Sequence, residues 1–121
     1  MGNWFLRTGV VCLIIGMVFG MVMGKTEDFT FAPAHAHLNL AGGVLMMLTG
    51  LIYNSRPGLA PRLAPWHYAF SLAGAVLLPA GIYGSIARTP WAVPVVAIGS
   101  LVTFVAMLML AWVVFRMKKA D

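Results

Sequence analysis

Four long apolar runs, separated by short polar or proline-rich breaks, fill nearly the whole chain. They cover residues 4–23, 31–53, 66–86 and 91–115. Each is long enough to cross a hydrocarbon core of ~30 Å at about 1.5 Å per residue. The breaks carry ordinary helix punctuation. Residues 25–33 close with Pro33, which suits the first turn of the second helix. Asn54-Ser55-Arg56-Pro57-Gly58, then Pro61 and Pro65, form a connection too rich in proline to be helical. Arg88-Thr89-Pro90 is a tight turn. Short connections make sequential helices antiparallel neighbours, so the expectation is an all-α, integral membrane four-helix up-down bundle forming one domain over 1–121.

Composition agrees with the pattern. Of 121 residues, 61% are hydrophobic and only 9% charged, and the mean hydropathy is +0.91. A soluble domain is about half apolar and a quarter charged. The first run resembles a signal peptide in having Arg7 before an apolar stretch. Residues 16–23, however, offer no small-x-small cleavage site before Lys25, so a retained first helix is expected. Pro79 and Pro94 fall inside the third and fourth runs and are expected to kink them. Gly16, Gly20 and Gly24 repeat every fourth residue, a spacing that lets helix backbones approach closely in lipid without naming the partner.

The net charge of +5 reflects membrane topology rather than nucleic acid. Arg7, Arg56, Arg62, Arg116, Lys118 and Lys119 fall on one side, and only Lys25 and Arg88 on the other, beside Glu27 and Asp28. Positive residues concentrate on the cytoplasmic side, so both termini are expected there, in a bacterial inner membrane. Trp4, Trp66, Trp91 and Trp112 sit near run ends, as interfacial anchors do. Cys12 has no second cysteine to pair with and reads as a small apolar filler.

The main chemical handle is Ala34-His35-Ala36-His37-Leu38-Asn39, at the start of the second run. Imidazole is costly in hydrocarbon unless it is paired, coordinated or lining a cavity. It is also the commonest protein ligand for a metal. Residues i and i+2 lie ~200° apart on an α-helix. His35 and His37 therefore cannot chelate one metal together, but each can face its own partner. The remaining histidine, His67, starts the third run about a bilayer core away and cannot be their co-ligand. Beside Trp66 and a polar loop, it is expected to be interfacial. A second histidine ligand must then come from another chain. Within the chain, Met21 and Met23 lie at the same level as the pair and offer soft thioethers. Asn39 is expected to face apolar surroundings or pair with another helix, and Tyr53 and Tyr83 to sit in the interfacial belt. With acidic residues only at surfaces or the terminus, and no glycine-rich phosphate loop, hydrolase and transferase chemistry lack their parts. No carboxylate lies inside a run to carry protons or ions.

Ala34-His35-Ala36-His37-Leu38 with Gly42 resembles the tenth helix of the haem–copper oxidase catalytic subunit, including its nitric oxide reductase branch. His67-Tyr68 through Gly74, Pro79 and Gly84 resembles the eleventh helix. Trp91, Ile98-Gly99-Ser100 and Met107-Leu108-Met109 resemble the twelfth. The resemblance covers residues 31–115; the first run matches the ninth helix by position only. It implies a haem, b-type, with His35 matching the ligand of the high-spin haem and His37 that of the low-spin haem. The chain supplies only four of the family's twelve helices and lacks the copper-site histidines and tyrosine, so copper is not implied and one chain does not carry oxygen reduction. The family's three four-helix arcs around a pseudo-threefold axis imply that a homotrimer of this chain imitates the whole subunit.

The resulting expectation is an oligomeric haem-binding membrane protein acting in electron transfer or in binding oxygen or nitric oxide, with enzyme activity left open. Two alternatives stand beside it. One is a structural or assembly subunit without cofactor; the other is a copper- or zinc-handling protein using His35, His37, Met21 and Met23.

Overall fold

The structure is a computed structural model and describes residues 1–118. Lys119, one of the cations counted for topology, lies outside the described residues. Four helices are long and apolar enough to cross a membrane: Gly2–Thr26, Ala32–Ser55, Ala64–Ile86 and Ala92–Arg116. No strand occurs among the described residues. In lipid a backbone must satisfy its own hydrogen bonds, and continuous apolar runs of this length leave the helix as the only open-ended solution.

The ends follow from local chemistry. Lys25 occupies the last turn of the first helix, where a cation complements the carbonyl end of the dipole, and Glu27 turns the chain out with a left-handed φ of 54°. In the next loop the Asp28 carboxylate accepts hydrogen bonds from the backbone N–H of Thr30, at 3.1 Å, and from its hydroxyl. The second helix opens with Pro33 in its first turn, where no N–H is required. It is not uniform: Leu38–Val44 winds as a π-helix between α-helical flanks. Gly42 and Gly43 lie in this segment with both backbones buried against the first helix. Pro79 is inside the third helix, which continues through it. Pro94 departs from the expectation of a kink. The fourth helix starts at Ala92, so Pro94 falls in its first turn and breaks no hydrogen bond.

Each helix packs on the next in sequence: first on second, second on third, third on fourth. The first and fourth share no extended contact among the described residues, so the four form an open row. The row tightens at one end, where all four contribute to a single buried cluster of Phe5, Met46, Tyr53, Ala64 and Val113. Glycine makes the close contacts. A side chain at Gly81 or Gly99 would run into the backbone of the facing third or fourth helix, and one at Gly42 would press on the Cys12 thiol. Cys12 thus fills space against Gly42. Leucine, valine and phenylalanine side chains such as Leu101 and Phe115 point outward, as lipid-facing residues do.

Candidate functional site

His35 and His37 occupy the α-helical first turns of the second helix and face different surroundings. His35 turns to the first helix. Its ring meets Phe19 edge-on at a centroid distance of 5.8 Å, and it lies over Gly20, where any Cβ would crowd it. One turn later Asn39 donates its amide to His35 Nε2 at 3.2 Å. The Asn39 carboxamide in turn fills the space left by Gly16. The partner of the Gly16–Gly20 pair is therefore this His35–Asn39 edge, and Asn39 bonds within its own helix rather than across to another. Asn39 Oδ1 is buried without a hydrogen-bond partner.

His37 faces the other way. Its Nδ1 donates to the Pro33 carbonyl oxygen at 2.7 Å. This bond fixes the ring and leaves the Nε2 lone pair directed away from the helix. Metal-bound histidines are held in the same fashion, with one nitrogen on a carbonyl or carboxylate and the other on the metal. The ring stands at the edge of an open groove of about 340 Å³ lined by Leu40, Val44 and Leu48 from its own helix, Leu78 from the third and Thr103 from the fourth. Thr103 presents little polarity, because its hydroxyl bonds the Gly99 carbonyl at 2.7 Å. The groove is an apolar wall with one imidazole.

His67 departs from the interfacial expectation. Only 1% of it is exposed. The Tyr53 hydroxyl and its Nδ1 share a hydrogen bond of 2.9 Å, with the Ala106 backbone as a second polar neighbour. Phe5 covers the ring edge-on at 5.3 Å and stacks on Tyr53 at 5.4 Å. Tyr53 is accordingly buried rather than in an interfacial belt, while Tyr83 is half-exposed and stacks on Phe31 at 4.1 Å. The reason is the loop of residues 56–63, whose Leu59, Ala60 and Leu63 fold over the helix ends and shut water out. Close by, Thr8 and Tyr68 join the first and third helices by a hydroxyl pair at 2.7 Å. Tyr53 follows His37 by 16 residues, about 24 Å along a helix, so this buried histidine and the exposed one are separate sites.

Of the thioether candidates, Met23 is buried and Met21 is exposed, so they face different surroundings. No group of three His, Cys, Asp or Glu side chains converges as a metal site among the described residues. What residue order alone did not disclose was the Pro33 carbonyl behind His37 and the Tyr53–His67 bond. The first had a signal in the four-residue spacing from Pro33 to His37. The second had one in both residues flanking the same loop. No family model, curated protein or solved structure matches the chain.

Proposed function

We propose that the chain is a haem-binding membrane protein in which His37 is the primary axial ligand. The observation that carries this reading is the Nδ1–Pro33 bond, which leaves Nε2 available beside an apolar groove. A haem is a flat apolar ligand with one strong demand, an axial donor, and the residues fit that demand. Bound there, the iron would supply one-electron chemistry, or gas binding if one axial position stays open. The chain's own contribution would be to orient the imidazole through Pro33 and to offer Leu40, Val44, Leu48 and Leu78 as an apolar wall beside it.

The groove supplies a wall on one side only, so the reading includes a second copy closing the other side, with a trimer favoured by the haem–copper oxidase resemblance. In that arrangement a second histidine ligand would belong to a neighbouring chain. His35 is the secondary candidate, since ligation through Nε2 would require release of the Asn39 bond. The proposed setting is a bacterial inner membrane with both termini cytoplasmic, and the role is electron transfer or oxygen or nitric oxide binding. The test is a haemin titration of the purified protein in mild detergent. Saturable binding with a Soret shift is expected for the native chain and for His35→Ala, and its loss for His37→Ala.

One observation favours a second reading. His35 and His67 are both satisfied by protein partners, Asn39 and Tyr53, as they would be in a structural subunit without cofactor. That reading predicts that His37→Ala leaves the spectrum, expression and oligomeric state unchanged.

A further inference from the structure

The free face of the fourth helix carries a groove with a charged mouth, far from the histidine pair. Where the loop of residues 56–63 meets that helix, Pro61, Arg62, Leu63 and Trp112 enclose a cavity of about 350 Å³. A second cavity of about 320 Å³, walled by Val105, Leu108 and Met109, adjoins it and shares Leu63 and Trp112. From Trp112 back to Val105 is about 10 Å of helix, and this lower part is apolar throughout. Two arginines adjoin the indole at this end, the guanidinium of one over the ring and the other beside the cavity. Arg62 lines the same cavity as Trp112, and Arg116 lies over the Trp112 ring at 4.9 Å.

We propose that this groove is a binding site for an anionic phospholipid, the phosphate held between Arg62 and Arg116 and one acyl chain laid along Leu63, Met109, Leu108 and Val105. The chemistry divides as the ligand does. Guanidinium is the side chain best matched to phosphate oxygens. An acyl chain needs only a continuous apolar wall. A zwitterionic choline lipid brings a quaternary ammonium to two cations, whereas a glycerol headgroup keeps its net negative charge.

Charge also argues against a second copy as the occupant. The same face of another chain would set Arg62 and Arg116 against like charges. The acids among the described residues, Glu27 and Asp28, lie in the loop at the opposite end of the helices. A copy oriented the same way in the membrane would therefore offer neither of these two carboxylates at this level.

Native mass spectrometry of the full chain in mild detergent, titrated with phosphatidylglycerol or phosphatidylcholine, tests the proposal. Phosphatidylglycerol should bind first and saturate at one per chain. Its affinity should fall about fivefold in Arg62→Gln or Arg116→Gln and roughly thirtyfold in the double variant, the order expected for cations near an anionic headgroup. Arg62→Lys/Arg116→Lys should keep the preference for the anionic lipid, and Lys25→Gln/Arg88→Gln, at the other end, should bind as the native chain does. Equal affinity for the two lipids, equal losses in the Lys25/Arg88 variant, or oligomers that take up no lipid at any concentration would overturn it.

Discussion

His37 Nδ1 lies 2.7 Å from the carbonyl oxygen of Pro33, one turn earlier on the same helix. A carbonyl can only accept, so the ring proton sits on Nδ1 and Nε2 carries the lone pair. In His67 the same nitrogen meets the Tyr53 hydroxyl instead, and a phenol donating to Nδ1 would leave the ring proton on Nε2. The two histidines should therefore be distinguishable as neutral tautomers. In ¹⁵N NMR spectra of histidine-labelled apoprotein in micelles at alkaline pH, His37 should show a protonated Nδ1 and His67 a protonated Nε2. A protonated Nε2 at His37 would remove the basis for calling it a poised ligand.

The Tyr53–His67 bond ties the second helix to the third inside the tightest part of the fold. Tyr53→Phe leaves a buried ring nitrogen unpaired and should cost about 1 kcal/mol, as interhelical hydrogen bonds in membrane proteins do. His67→Ala adds a cavity under Phe5 and should cost about 2–4 kcal/mol. Reversible denaturation in mixed micelles reads both, and a double-variant cycle should return a coupling close to the Tyr53→Phe loss. On the proposed reading, neither change should alter a haemin titration.

The three glycines of the first helix should differ sharply. A Cβ at Gly16 collides with the Asn39 carboxamide, while one at Gly24 meets nothing. Gly16→Ala should destabilise by about 1–3 kcal/mol, as overpacking does, and Asn39→Ala should relieve much of that cost. Gly24→Ala should change stability by no more than about 1 kcal/mol, in the stabilising direction, because alanine is the better helix former. The same denaturation experiment separates the two.

The loop ahead of the histidine helix carries a small acid-sensitive element. Hydrogen bonds from the Thr30 hydroxyl and N–H hold the Asp28 carboxyl below the usual carboxylate range. A lowered folded-state value means that the ionised form is preferred in the fold. Its contribution is complete above the ordinary aspartate value and is lost as pH falls through the lowered one, below about pH 4. Thr30→Val should raise the Asp28 carboxyl towards its ordinary value in an NMR titration; no movement would show that the hydroxyl bond is absent in solution.

Much of this was readable from residue order, for physical reasons. Span ends at Lys25, Pro33, Ser55 and Arg88 follow from charge and proline chemistry, and the four helices differ from the apolar runs mainly by added end residues. The opposed directions of His35 and His37 follow from helix rise and turn. The π-helical segment Leu38–Val44 was not readable, since it depends on how Gly42 and Gly43 seat against the first helix. Burial of His67 also escaped, because a proline-rich loop looks solvated until Leu59 and Leu63 are seen closing over it. Pro94 misled because a proline disturbs a helix only beyond its first turn, and here it is the third helical residue.

The most direct test of the central claim is the absorption spectrum of the chain purified in mild detergent from cells supplied with iron and haem precursor. The account predicts a Soret band that is retained in His35→Ala and in Tyr53→Phe and lost in His37→Ala. A purified, folded native chain without a Soret band, or a His37→Ala variant with an unchanged one, would contradict it.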